Sequence, residues 1–350
     1  MRGVVFPGNS VIGFVDLPDP TPGPGEVVVE IKASGMCGSD LNLYRAAPGS
    51  KRHPKLPPPT EPIIAGHEPC GVVAAVGSGV TANEARVGDR VMVHHYWGCS
   101  VCEHCRAGWA QMCSREVPAV YGISAHGAHA PYMTVPARTL VPLPEELSFE
   151  AGSAISCGMG TSYGALMRVR PSGRDTVAIY GQGPVGLAAT QLAAAMGARV
   201  IALDISEERL RRAGELGADV IVNPAVESSV EAILQHTKGR GADYALETSG
   251  AVSARAEAIA AVRPWGAVVL VAGVTALQVE NVSTITSRQL TIMGSWTFSN
   301  VGQAECAQFV VDHGIPVDEL FSHRWRLDQA EEAYQLFARQ TDGKGVFLFG

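Results

Sequence analysis

Two textures of apolar and polar positions divide the chain. Up to about residue 150, short Val-rich runs (Val27–Ile31, Gly71–Val76 and Arg90–Val93) stand among loops dense in Gly, Pro, His and Cys. Runs this short predict an irregular β domain whose loops carry function. From about residue 157 the pattern turns regular. Apolar runs at Thr176–Tyr180, Arg199–Leu203, Val220–Val222, Asp243–Leu246 and Ala267–Val271 alternate with helical stretches at Val185–Met196, Glu207–Leu216 and Ala254–Val262. That alternation predicts an α/β unit with a doubly wound parallel sheet. Gly197 and Gly217 follow the last apolar positions of two helices, where glycine takes positive φ at little cost. After about residue 297 the rhythm lapses, and Asp328–Arg339 reads as an amphipathic helix returning to the first domain. The expected domains are therefore 1–156 with 297–350, and 157–296. No internal repeat is visible, and the proline-rich stretch Pro54–Pro62 is expected to be a surface loop.

Composition narrows the class. A chain of 350 residues with 46% hydrophobic and 17% charged residues has room for two cores, which excludes a disulfide-stapled mini-protein and a disordered chain. With 27 basic against 34 acidic residues the net charge is −7, so no broad cationic surface is available for a phosphate backbone and nucleic acid is not an expected partner. Pro7, Gly8, Asn9 and Asp16 interrupt any secretory apolar region, and the chain is expected to be cytoplasmic. No charge occurs between Asp175 and Arg199, a length that would span a bilayer. Gly181, Gln182, Gly183, Pro184 and Gly186 nevertheless break the segment into strand, turn and helix, so no membrane association is expected.

The turn in that segment, Gly181-Gln182-Gly183-Pro184-Val185-Gly186, has the G-x-G-x-x-G spacing. Alone the pattern is weak; here a strand precedes it, a helix follows, and a second strand ends at Asp204. A pyrophosphate is expected at the helix N-terminus, where free N–H groups and the helix dipole favour anions. Asp204 is expected to accept hydrogen bonds from the adenosine ribose and to repel a 2′-phosphate, which points to NAD. Arg209, Arg211 and Arg212 keep NADP as the alternative, although they equally suit the solvated face of the next helix.

Eight cysteines without a secretion signal favour metal binding or catalysis over disulfides. Cys99, Cys102, Cys105 and Cys113 follow the spacing C-x2-C-x2-C-x7-C, a thiolate set suited to a closed tetrahedral structural zinc. An iron–sulfur site is the competitor, but the ferredoxin run ends C-x3-C-P and this one does not. A second, dispersed group comprises Cys37 in Gly35-Met36-Cys37-Gly38-Ser39-Asp40, His67 in Gly66-His67-Glu68, and Cys157 in Ser156-Cys157-Gly158. Cys70 and Cys306 have no visible partners and read as packing residues.

These segments, with Gly88-Asp89-Arg90-Val91, the four-cysteine lobe and Gly181–Gly186, stand in the order found in the zinc-dependent medium-chain dehydrogenase/reductase family, the alcohol dehydrogenases, which the chain resembles over nearly its whole length. The resemblance implies a β-rich GroES-like catalytic domain, a Rossmann domain and a homo-oligomer, dimer or tetramer, pairing through late strands such as Gln289–Trp296. It also implies that Cys37, His67 and Cys157 are the ligands of a catalytic zinc, with water or substrate oxygen in the fourth position. Some relatives use a carboxylate as third ligand, so Glu68 stands beside Cys157 as a transient ligand or a supporting group. By the same resemblance Asp40 accepts the second ring N–H of the zinc histidine, Ser39 begins a proton relay, and Thr161 and Val185 touch the nicotinamide ring. The implied reaction is hydride transfer from an alcohol to NAD, giving an aldehyde or ketone.

Two positions depart from the family pattern. Asn42 stands where many relatives carry the histidine that ends the relay, so the proton's exit, through ribose hydroxyls to water or through another histidine, stays open. His129 replaces an aromatic common before the tyrosine, here Tyr132. His94, His95, Tyr96 and Trp97 occupy the stretch that lines the substrate cleft in relatives, and with Ser124 are expected either to favour a polyol or other polar alcohol or to support the lobe. The rival functions are a zinc-free quinone or enoyl reductase of the same fold and a zinc-stabilised non-catalytic binding protein.

Overall fold

The computed structural model describes every residue except those at 53, 54, 274, 280, 341 and 342. Two compact units result: Met1–Gly160 with Phe298–Gln340 and Lys344–Gly350, and Thr161–Thr297. The division falls at Gly160/Thr161 rather than at 156/157, and no change of texture marks it because it lies inside one helical run. That run comprises Phe149–Ala154, a π-helical turn Ile155–Met159, and Gly160–Met167.

The second unit holds six parallel strands in the order Val220–Val222, Arg199–Leu203, Thr176–Tyr180, Ala242–Glu247, Val262–Leu270, Thr291–Gly294. Chain order reverses around Thr176–Tyr180, and open α/β sheets bind ligands at the carboxyl ends beside such a reversal. The first three strands coincide with their apolar runs. Val262–Leu270 begins well before the run at Ala267, since its register shifts and Trp265 takes φ 62°, which breaks the alternation a sequence can display. Gly197 and Gly217 take φ 84° and 107°, as their positions after helices Pro184–Ala195 and Glu207–Glu215 require.

In the first unit a seven-stranded sheet is organised by Glu26–Gly35, which pairs along its length with Pro69–Val76, Tyr132–Pro136 and Lys344–Leu348. Its neighbour-rich position explains why ten residues run together here. The expected C-terminal helix spans Ala330–Phe337 after a 3-10 turn at Leu327–Gln329. It buries Ala330, Ala333 and Tyr334 against Val4, Phe6, Leu41, Tyr44 and Phe347, the end of the chain thereby closing a core begun by its start. Of the proline-rich stretch, Pro54 lies outside the described residues, and 55–62 form turns and irregular backbone, mostly exposed. Among the described residues no helix is long and apolar enough to cross a membrane.

Candidate metal and cofactor sites

Three local structures deliver one cluster. Cys37 is the N-cap of helix Gly38–Arg45, His67 lies just before strand Pro69–Val76, and Cys157 sits in the π-helical turn, whose extra residue per turn redirects its side chain. The ligand atoms of Cys37, His67, Glu68 and Cys157 all lie within 4.8 Å of one another, and all four residues are buried. The Cys37 and Cys157 sulfurs are 3.9 Å apart. Two thiolates on a tetrahedral zinc, each at about 2.3 Å, lie about 3.8 Å apart, so the pair fits the ion. Asp40 serves both ends of the arrangement. One carboxylate oxygen accepts the Cys37 N–H at 2.9 Å, and the other faces His67 Nδ1 at 2.9 Å, leaving Nε2 for a metal. Ser39 Oγ lies 3.3 Å from Cys37 Sγ and 3.2 Å from His67 Nε2.

The electrostatics suit a cation. The hydrogen bond from Cys157 holds the Cys37 thiol well below its usual range, with His67 assisting and burial opposing, and the same bond drives Cys157 upward. Burial alone would lower His67, but Asp40 and Cys37 outweigh it and raise it well above its ordinary value. Burial pushes the Glu68 carboxyl above its ordinary range, and Lys344, with which it forms an ion pair in the interior, pulls it back down. Two thiols sharing a hydrogen beside an imidazole are donors for a borderline-soft divalent ion.

The four-cysteine segment folds on itself. Cys102 caps the short helix Glu103–Arg106, its N–H donates to Cys99 Sγ at 3.3 Å, and the sulfur pairs Cys99–Cys105 and Cys102–Cys113 are each 4.0 Å apart. All four sulfurs meet within 4.8 Å. Cys70 and Cys306 are fully buried elsewhere, and burial raises both thiols, as inert packing cysteines require.

In the second unit the three glycines of the turn differ in what surrounds them. A Cβ on Gly186 would lie 1.7 Å from Gly181 O, and one on Gly181 would strike the Ser249 backbone at 2.8 Å, whereas Gly183 faces open space at the start of helix Pro184–Ala195. Asp204 accepts the Gln182 N–H at 2.6 Å and the Ser206 N–H at 2.9 Å, which brings its carboxylate to the turn. Arg209 reaches to 4.0 Å from that carboxylate, while Arg211 is engaged by Glu208 and Glu215 on its own helix. Thr161 is buried in helix Gly160–Met167, which Ser162 ties to the carbonyl of Val185 at 2.7 Å.

The residues expected either to line a polar pocket or to support the lobe are placed differently from one another. His95 packs its ring against His67, with centroids 5.4 Å apart, and Tyr96 packs on His95 at 4.4 Å. Trp97 lies on Tyr121 at 4.5 Å, and the Ser124 hydroxyl is bonded to Val120's backbone at 2.9 Å, so both hold the fold of this segment. Asn42 is exposed on its helix. Two participants were not visible beforehand, Lys344 and Tyr334. The one signal for Lys344 is a lysine at the head of the otherwise apolar strand Lys344–Leu348; Tyr334 looked like any aromatic on a helix stripe.

Residues 23–145 match the model of the alcohol dehydrogenase GroES-like domain, and residues 184–313 that of the zinc-binding dehydrogenase domain. The chain belongs to the zinc-dependent medium-chain alcohol dehydrogenase family. It is 37% identical, over 100% of its length and 99% of the relative's, to an uncharacterized zinc-type alcohol dehydrogenase-like protein of Escherichia coli K12. An L-threonine 3-dehydrogenase of Symbiobacterium thermophilum is 32% identical, over 95% of this chain and 93% of that one. A solved alcohol dehydrogenase from Escherichia coli CFT073, in complex with NADH, superposes with a TM-score of 0.87 at 27% identity, covering 100% and 99% of the two chains. The family membership makes this dehydrogenase an oxidoreductase acting on small molecules, and it agrees with the GroES-like and Rossmann architecture expected from the motifs.

Proposed function

We propose that this dehydrogenase oxidises a polar secondary alcohol, such as a polyol, with NAD as hydride acceptor, and that it carries two zinc ions per chain. The carrying observation is the convergence of Cys37, His67 and Cys157, with the Ser39 hydroxyl against two of them. A zinc ion held by those three side chains would polarise an alcohol oxygen and lower its pKa, so that hydride can leave its carbon for the nicotinamide. Asp40 fixes the His67 tautomer, and Ser39 stands where a hydroxyl can take the alcohol's proton while passing on its own. Asp204 at the glycine turn supplies the ribose acceptor and disfavours a 2′-phosphate.

His95 supports the polar substrate class. Its Nδ1 lies 2.9 Å from the Ser156 carbonyl, which only accepts, so Nδ1 carries the hydrogen. Burial, with His67 and His94 nearby, drives the ring well below its ordinary pKa, and Nε2 is then a neutral acceptor beside the metal ligands. The threonine dehydrogenase relative, named for oxidation at position 3 of L-threonine, likewise handles a polar alcohol. A homo-oligomer fits the edge strand Thr291–Gly294, which ends the six-stranded sheet with half-exposed Ile292 and Met293.

The assembled three-ligand set weighs against a zinc-free reductase and a non-catalytic binding protein. The test is NADH formation over a panel of primary alcohols, secondary alcohols and polyols. Turnover is expected with polar secondary alcohols, to be strongly slowed by Ser39→Ala and less by Ser39→Thr. A zinc-loaded, NAD-binding protein that oxidises nothing in the panel would remove the reading.

A further inference from the structure

His129, one of the two residues that depart from the family pattern, belongs to a buried polar chain that ends on His67, a candidate zinc ligand. Its Nδ1 is 2.8 Å from Ser34 Oγ and its Nε2 2.7 Å from the Tyr334 hydroxyl, which in turn reaches Asp40 Oδ2 at 3.4 Å. Asp40 Oδ1 faces His67 Nδ1. Ser34, His129 and Tyr334 are 0% exposed, Asp40 1% and His67 3%. These residues come from strand Glu26–Gly35, the helix capped by Cys37, the two loops that carry His67 and His129, and the C-terminal helix.

Donor and acceptor counting leaves one arrangement of hydrogens. The Asp40 carboxylate only accepts, so Tyr334 directs its single hydrogen to Asp40 and its oxygen must accept from His129 Nε2–H. A neutral imidazole with hydrogen on Nε2 presents Nδ1 as an acceptor, and Ser34 O–H donates to it. Every O–H and N–H therefore points along the chain toward Asp40. Ser34 at the far end is itself enclosed, so the chain has no opening through which a proton would leave, and its use is to hold geometry.

Backbone contacts bind the same segment to the ligand loop. Ala128 N–H donates to Gly66 O and His129 N–H to Ala65 O, each at 2.9 Å. A Cβ at Gly66, next to His67, would lie 2.4 Å from His129 Nδ1, at a φ of 90°. The His67 loop and the His129 ring thus fit only with glycine between them.

We infer that Tyr334, His129 and Ser34 are positioning residues for the catalytic metal, aligning Asp40 and through it His67, an inference that rests on Cys37, His67 and Cys157 being zinc ligands. Outer partners of a metal histidine typically change metal affinity 10–100-fold. The test is the rate at which the zinc-loaded enzyme loses metal to a chelating dye, with Cys37→Ser and Cys102→Ser marking which phase belongs to which site. Tyr334→Phe is expected to speed release from the three-ligand site by about tenfold and leave the four-cysteine site unchanged. In cobalt-substituted enzyme it should also shift the visible ligand-field absorption. A cluster that merely fills the core would lower the melting temperatures of metal-loaded and metal-free protein alike and leave release unchanged, and that outcome, or equal acceleration at both sites, overturns the inference. Should Tyr334→Phe not fold, Ser34→Ala decides the matter: it removes the donor that sets the His129 tautomer while leaving both rings, and unchanged release overturns the inference. If Cys37→Ser removes no zinc at all, the functional reading has failed instead.

Discussion

Lys344 and Glu68 form an ion pair with 1% and 0% of their side chains exposed, and the same ammonium donates to the Met36 carbonyl at 3.0 Å. The pair thus clamps the segment leading to Cys37 to the residue following His67. Burial alone would lower Lys344, but Glu68 and Cys37 keep it charged. Removing one partner of a buried pair costs about 3–5 kcal/mol, because the other is left uncompensated. Lys344→Met is therefore expected to lower stability by roughly that amount in denaturant unfolding, and adding Glu68→Gln should restore part of it. An unchanged midpoint for Lys344→Met would show that the pair contributes nothing.

Metal analysis of the folded enzyme should find two zinc ions per chain. Cys37→Ser is expected to lose one of them together with turnover while keeping its fold. Cys102→Ser should lose the other and melt earlier, since metal binding at a closed thiolate site is also local folding energy. One zinc in active enzyme, or iron with visible absorbance, contradicts this assignment.

Asp204 meets the Gln182 N–H at 2.6 Å, so its replacement has two effects. Asp204→Ala should raise the KM for NAD on the order of tenfold, by removing a charge-assisted acceptor, and should narrow the preference over NADP by removing repulsion. Steady-state kinetics with both cofactors measure this. An unmodified enzyme that already prefers NADP sinks the cofactor assignment.

Acid should unfold the protein partly through two histidines. Burial lowers His94 and His129 from 6.5 to about 4. Because their folded pKa values lie below the unfolded one, the unfolded chain takes up protons first as pH falls. Their contribution is complete above about pH 6.5 and is lost between there and pH 4. Near pH 5 the pair should add close to two protons to the stability slope, about 2.5 kcal/mol per pH unit. His94→Phe, compared with the unmodified chain across pH 7 to 4, should remove about half of that contribution; parallel curves would mean that His94 titrates alike in both states.

Where local chemistry decides structure, the sequence was a sufficient guide. The glycine turn, the strand before it and Asp204 lie within one stretch, and the four thiolates close a loop of their own, so spacing alone displays both. Cys37, His67 and Cys157 could be grouped only by resemblance, because three separate local structures deliver them. Lys344 and Tyr334 were invisible for a plainer reason: they act across hundreds of residues of chain, and neither periodicity nor spacing carries information about which distant carboxylate a buried cation or phenol will meet. Among His94, His95, Tyr96, Trp97 and Ser124, composition could not divide substrate lining from lobe support, because the ring contact of Trp97 with Tyr121 and the bond between Ser124 and the Val120 backbone are set by the fold of the segment.

The discontinuity of the first unit sets an order of assembly. Cys37 and His67 are synthesised early, Cys157 only after the four-cysteine lobe, and the whole second unit must follow before Tyr334 and Lys344 exist. A growing chain can close its cysteine lobe while the carboxylates of Asp40 and Glu68 still lack the phenol and ammonium they will meet. The four-cysteine loop can therefore close during translation, whereas Cys37, His67 and Cys157 reach their final surroundings only after strand Lys344–Leu348 has been made and docks, and domains that fold as units in chain order cannot include this one.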